Sequence, residues 1–499
     1  MIYRGSTMKR SRRKFFIFLP LILLFMFSSC AKEEVAIVSL EKIPVTTSSN
    51  AALSAFEEGM IYAHKLQRVE AAVHFKRALE ADSTFALAWV NLALVSPGTA
   101  AFIAALDSAK HYAGGAGEGE KLLILGAQYG FEGKPMEQER VLKKLVEMYP
   151  GDELAHYTLG NHYYSLQQYH QAIQSFLKAT EFNNEMAIVY NQLGYSQRAL
   201  GNYGEAEKAF KYYIKLNAEN PNAYDSYAEL LMEMGRFNES ISFYGKALEF
   251  DPYFVSSYIG IACDYAFLGE SGKAREQLAT LKEIARNHND TRRAIFTEAL
   301  TFVCEGDLES AATAIVANLE LSQKTHDVGN SINDIVMLGN ISLEMGRIEE
   351  ALSWFTQSME LVDDSDLPQT VKGNSHILHL ANLARIFAAR GEFNKAHETA
   401  ALFAKKVSER NNPMQILRIH RLNGIIALSE GNYQEAIEEL SQANQLNPYN
   451  LYRIGLAHEA LGNLEQAANF KLQAEELNVL NSMDQAIVLS KTKFAKEPA

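Results

Sequence analysis

The sequence predicts an all-α solenoid of about 11–12 helix–turn–helix units, and three observations predict it. A glycine recurs along the chain and is followed five residues later by a small residue, in the pairs Gly201/Ala206, Gly235/Ser240, Gly269/Ala274, Gly306/Ala311, Gly346/Ala351, Gly391/Ala396, Gly431/Ala436 and Gly462/Ala467. On either side of each pair the apolar residues fall at offsets of three, four and seven, the period of a helix with one buried face. Strict alternation between turn residues, the mark of strands, is absent, and only 11 of 499 residues are proline.

The N-terminus is an address before it is structure. Lys9 to Lys14 form a basic run, Phe15 to Phe27 an apolar stretch too short to span a bilayer as a standard helix, and Ser28-Ser29-Cys30 follow. Phe27-Ser28-Ser29-Cys30 resembles the lipobox of bacterial lipoproteins. The resemblance implies a signal peptide over 1–29, removed before Cys30, and acyl chains on that thiol. Each buried CH₂ contributes roughly 0.8 kcal/mol, so two or three chains hold firmly. Met8 is an alternative start, since Met8 to Ser29 is a complete signal by itself. The expected location is the bacterial outer membrane, facing the periplasm or the cell surface. Residues 30–50 lack helical periodicity and are expected to form a lipidated, flexible tether.

Removing residues 1–29, which carry six basic residues and no acid, leaves 41 basic against 60 acidic residues, a net charge of −19. That charge repels phosphate backbones and disfavours nucleic-acid binding.

The array begins at residue 51. In each unit the turn glycine supplies the left-handed conformation that ends one helix, and the small residue lets the next helix approach closely. Units start at 52, 86, 119, 153, 187, 221 and 255, a regular 51–288 array. The unit at 86 is interrupted by Pro97-Gly98 and closed by the glycine-rich run 114–117. From 289 to 477 the starts stretch to about 292, 332, 377, 417 and 448, which requires longer helices or loops. Residues 478–499 read as a capping helix and tail over the last apolar face.

Tyr157-Thr158-Leu159-Gly160 with Tyr163, Ala172, Phe176 and Ala179 resembles the tetratricopeptide repeat, whose length is 34 residues, as do Gly59, Tyr62, Ala71, Phe75 and Ala78. Trp89 stands at that family's tryptophan position, and Pro150 and Pro252 at its closing proline. The resemblance implies a right-handed superhelix whose concave groove is lined by the first helix of each unit. Carried onto this chain, the groove positions are Tyr157, Asn161 and Tyr164, then Asn191, Tyr195 and Arg198, then Asp225, Glu229 and Met232. Amides that both donate and accept, beside tyrosines with apolar bodies, suit an extended peptide or a helix. Arg385, Arg418 and Arg421 form a second, basic candidate able to grip an acidic segment.

Chemistry is harder to find. Phe267 to Ala274 is a near miss to a phosphate-cradling loop, lacking its first glycine and its final hydroxyl. His376 and His379 stand three apart on a helix without an acidic third ligand, so no metal site is expected. Cys263 and Cys304 lie on first helices of adjacent units and are read either as buried free thiols or as a disulfide. No cofactor is expected. The reading is a non-catalytic scaffold holding an envelope or surface protein or peptide in its groove. The alternatives are a nutrient- or glycan-binding lipoprotein of the starch-utilisation type, which requires long aromatic-rich insertions, and a regulator of cell-wall or envelope assembly.

Overall fold

The computed structural model describes residues 42–96, 98–410 and 412–494. The signal peptide, Cys30 and most of the expected tether lie outside the described residues. Twelve consecutive helical hairpins fill the described chain. They are α1 (Asn50–His64) with α2 (Arg68–Ala81), α3 (Ala86–Val95) with α4 (Thr99–Tyr112), α5 (Glu118–Phe131) with α6 (Pro135–Met148), and α7 (Glu153–Ser165) with α8 (Tyr169–Phe182). Then come α9 (Ala187–Ala199) with α10 (Tyr203–Leu216), α11 (Pro221–Glu233) with α12 (Phe237–Phe250), α13 (Val255–Phe267) with α14 (Ser271–Ile284), and α15 (His288–Cys304) with α16 (Leu308–Lys324). The array ends with α17 (Val328–Glu344) and α18 (Ile348–Asp364), α19 (Gln369–Ala389) and α20 (Phe393–Ser408), α21 (Pro413–Glu430) and α22 (Tyr433–Gln442), and α23 (Pro448–Ala460) and α24 (Leu464–Glu476), followed by α25 (Met483–Lys491). No described residue is in a strand, and no described helix is long and apolar enough to cross a membrane.

The hairpin chemistry follows the sequence pattern. Gly201 turns at φ 72°, and its partner Ala206 is fully buried where α10 meets α9. Where the hairpin turn has no glycine, Leu66 and Gln167 take the left-handed conformation, as His326 does between α16 and α17, at a cost of about 1–2 kcal/mol each. In four hairpins a ring from the second helix fills the space over a glycine of the first: Phe75 over Gly59, Phe176 over Gly160, Phe210 over Gly194 and Phe355 over Gly339. A Cβ on Gly160 would lie 2.5 Å from Phe176, and one on Gly194 2.6 Å from Phe210. Burying such a ring stabilises by about 1.5–3 kcal/mol. Beyond residue 288 the longer spacing is taken up by longer helices: α15 to α18 have 17 residues each and α19 has 21.

The expected tether is not free up to residue 50. Residues 43–47 run extended across several hairpins, with Ile43 buried. The Ile43 N–H donates to Asp152 at 2.9 Å, the Thr46 N–H to Glu120 at 2.8 Å, and the Thr47 hydroxyl to Asp82 at 2.6 Å, while Lys42 pairs with Glu153. Carboxylates at the ends and starts of helices thus satisfy backbone donors that a free tether would leave to water. Asp152 serves twice, since it also caps α7 by accepting from Ala155.

Two more long-range contacts fold the array onto itself. The α1–α2 turn packs Leu66 against the cluster of Ala187, Tyr213 and Ala223, and Asn220 donates to the Lys65 carbonyl. At the other end α25 does more than cap α23 and α24. Its Ala486, Ile487 and Leu489 join the core of α13 and α15 beside Cys263 and Leu300, and the Thr297 hydroxyl donates to Asn481 at 2.9 Å. The terminal helix therefore bridges the last hairpin and the middle of the array.

Candidate functional site

The predicted N-terminal groove is assembled as a dense network. The Tyr195 hydroxyl donates to Ser226 at 3.1 Å, and its ring lies 4.7 Å from the Arg198 guanidinium. Arg198 bridges two acids of α11, reaching Glu229 at 3.1 Å and Glu233 at 3.0 Å. Burial by itself lowers the Arg198 pKa, but Glu229 and Glu233 outweigh it and the net shift is upward. Tyr164 meets Tyr169 edge-on at 5.6 Å, and burial raises its pKa. Tyr157 and Asn161 lie half-buried on α7, and burial, opposed by Asn161 and Gln192, raises the Tyr157 pKa.

Asn191, Asp225 and Met232 are buried. They are 4%, 3% and 1% exposed. Asp225 accepts from the Ser257 hydroxyl at 2.7 Å, and burial, then Glu229, raises its pKa. Asp225 meets Ser257 of the next first helix, α13, and Met232 clusters with Ile259 of the same helix. Tyr164, Tyr195, Arg198 and Glu229 are brought together, with Glu233 and the second-helix Tyr169, which a reading of first helices passes over.

The second candidate is a cavity of about 430 Å³ bounded by α17, α19, α20, α21, α23 and α25. Arg385, Arg418 and Arg421 all line it, and Arg453 joins them. Arg421 pairs with Asp484 of α25 at 3.2 Å, and Arg385 donates to Asn340 at 2.8 Å. Arg453 stacks 3.6 Å from the Tyr449 ring, and its Nη1 is buried with no hydrogen-bond partner. Glu344 accepts from Tyr449 at 2.9 Å and pairs with Lys491 at 2.7 Å. Burial, then Arg421 and Arg453, pulls the Arg385 guanidinium down, and burial, then Arg421, does the same to Arg418. Burial raises Asp484, but Arg421 leads the partners that overcome it, so its pKa falls. Arg453 was missed because it stands one place beyond a groove position of its repeat.

The remaining motifs are structural. Phe267 to Ala274 forms the α13–α14 turn, with Gly269 at φ 80° and Lys273 paired to Glu270 at 2.6 Å. His376 pairs with Asp363 at 2.9 Å, and no group of three metal-ligating side chains occurs among the described residues. Cys263 and Cys304 are buried and unpaired, and burial raises each thiol pKa to about 12.

Comparison with known proteins agrees with this hairpin geometry. Residues 160–201 match a TPR repeat family, residues 191–253 a tetratricopeptide repeat family, and residues 267–454 the MalT-like TPR region. The TPR repeat-containing protein MJ1428 of Methanocaldococcus jannaschii is 24% identical over 356 residues, covering 65% of this chain and 58% of that protein. The TPR repeat-containing protein YpiA of Bacillus subtilis is 26% identical over 184 residues, covering 36% of this chain and 42% of that protein. The chain thus spans about half the length of these curated relatives. A crystal structure of a tetratricopeptide repeat protein from Parabacteroides merdae is similar at 20% identity, covering 48% of this chain and 94% of that one, with a TM-score of 0.34. The chain carries tetratricopeptide repeats, matched over residues 160–253 and 267–454.

Proposed function

We propose that the protein is a non-catalytic scaffold, held to the bacterial outer membrane by lipid on Cys30, that docks a protein or peptide partner on the first-helix face of its repeats. The observation that carries this reading is the Tyr164–Tyr195–Arg198–Glu229 network. It presents half-buried aromatic bodies and charged heads across three consecutive hairpins, on side chains already held by one another. A surface ordered before it binds loses little side-chain entropy on docking. Tyrosine and arginine are also the side chains that most often carry interface energy.

The test is a mild-detergent pull-down from the envelope with mass spectrometry, comparing wild type with Asn161→Ala/Tyr164→Ala. Both side chains are half-buried, so the pair is expected to keep the helical fold by circular dichroism, with a modest fall in melting temperature where Tyr164 leaves Tyr169, and to lose the wild-type partner. Recovery of the same partners in equal amounts refutes docking at this patch. Cys30→Ser tests the anchor separately: the variant is expected in the soluble fraction, without incorporated fatty acid. Retention with the membrane and continued acylation refute that part.

A further inference from the structure

The cavity between α19, α21, α23 and α25 has a charge imbalance that the scaffold role leaves unused. Four guanidiniums, those of Arg385, Arg418, Arg421 and Arg453, line it with only two carboxylates, Glu344 and Asp484. Neither carboxylate is spare. Glu344 is taken up by Tyr449 and Lys491, and Asp484 by Arg421 and Asn447. Arg385, Arg418 and Arg453 make no direct ion pair among the described residues, Asp484 and Glu344 acting on Arg385 and Arg453 only at longer range, and the buried Nη1 of Arg453 has no hydrogen bond at all. Unpaired cations are rarely kept in a half-buried site of a protein with surplus acid elsewhere, because desolvation disfavours them unless an anion arrives.

The geometry points to a binding site for a small organic dianion, whose charged head, a phosphate or a pair of carboxylates, is gripped by Arg385, Arg418 and Arg453 while its apolar body lies against Leu378, Phe403 and Ile425. The guanidinium fork matches both head groups bidentately, and two negative charges offset most of the charge of the three unpaired arginines. A volume of about 430 Å³ falls in the range of small-molecule pockets and exceeds the need of a bare inorganic ion. Asp484 already plays the anion in one corner, so the terminal helix α25 is part of the site wall. This inference goes beyond the docking role and does not depend on it.

The experiment is isothermal titration calorimetry of the full mature chain in chloride buffer, with phenyl phosphate and with phthalate as probes and inorganic phosphate as control. At least one organic dianion is expected to bind saturably at a single site, at least tenfold tighter than inorganic phosphate, and the tighter probe identifies the head group. Arg385→Met and Arg453→Met are expected to weaken that binding at least tenfold. Asp484→Asn, which removes the competing internal carboxylate, is expected to tighten it at least threefold. The last variant decides the matter even where an arginine variant fails to fold. The proposal is overturned by no saturable binding of either probe at millimolar concentration, by equal affinity for inorganic phosphate, or by an unchanged affinity in Asp484→Asn.

Discussion

Asp264 lies on α13 with no solvent exposure, and neither carboxyl oxygen has a hydrogen-bond partner. Burial, opposed by the nearby Ser240 hydroxyl, raises its pKa from 3.8 to about 8. The folded value stands above the unfolded one, so the native state holds a proton that the unfolded chain gives up. The corresponding stability is fully present below about pH 4 and is lost as pH rises through about 8. At 1.36 kcal/mol per pH unit, a gap of about 4 units sets a ceiling of roughly 5–6 kcal/mol, which relaxation and water entry reduce. Asp264→Asn keeps the shape and cannot ionise. Its amide buries unsatisfied donors at about 1–3 kcal/mol, a cost that does not vary with pH. The variant is therefore expected to melt at or below the wild-type temperature at pH 5 and above it at pH 9. Circular-dichroism melts, with hydrogen exchange at the α13 amides because arrays open locally, measure this. Asp225, whose pKa burial also raises, is present in both proteins and cancels from the comparison. Parallel stability curves for the two proteins from pH 5 to 9 would refute the reasoning.

Other predictions follow from single contacts. Arg292 holds Asp334 through two bonds of 2.7 and 3.0 Å in the core of α15–α17, so Arg292→Met strands a buried carboxylate. A loss of about 3–5 kcal/mol is expected by denaturant titration, with most of it recovered in Arg292→Met/Asp334→Leu. Gly194→Ala drives a methyl to within 2.6 Å of Phe210 and is expected to cost about 1–3 kcal/mol in thermal melts, whereas Gly204→Ala, with nothing within 4 Å, is expected to be neutral or stabilising. Asp152→Ala removes both the Ile43 acceptor and the α7 cap, so limited proteolysis is expected to open residues 42–49 first, with a stability loss of about 0.5–2 kcal/mol. Unchanged cleavage there would show that residues 43–47 are held by something else.

The repeat itself was legible in the chain because its causes are local. A left-handed turn at Gly201 or Gly346 calls for the residue without a Cβ, and the close approach at Ala206 or Ala351 calls for a small one. Helix starts at 86, 153, 187, 221, 255 and 448 coincide with those read from the apolar period, and the stretched spacing after 288 appears as longer helices. The arginines at 385, 418 and 421 were also visible, because repeat register alone places them on one face.

Three features were decided only in three dimensions: the binding of residues 43–47 across α5 and α7, the burial of Asn191 and Asp225, and the seating of α25 on α13 and α15. A hydrophobic period reports which face of a helix is covered, but not by what. Contacts such as Asn220 with Lys65, or Asp484 with Arg421, join segments 155 and 63 residues apart. Their meeting depends on small rotations summed over many hairpins, and no short stretch of sequence carries that sum. The sequence by itself determined the hairpins and their order. The accumulated twist of the array decided which surfaces stay open, and it gathered four arginines around one cavity.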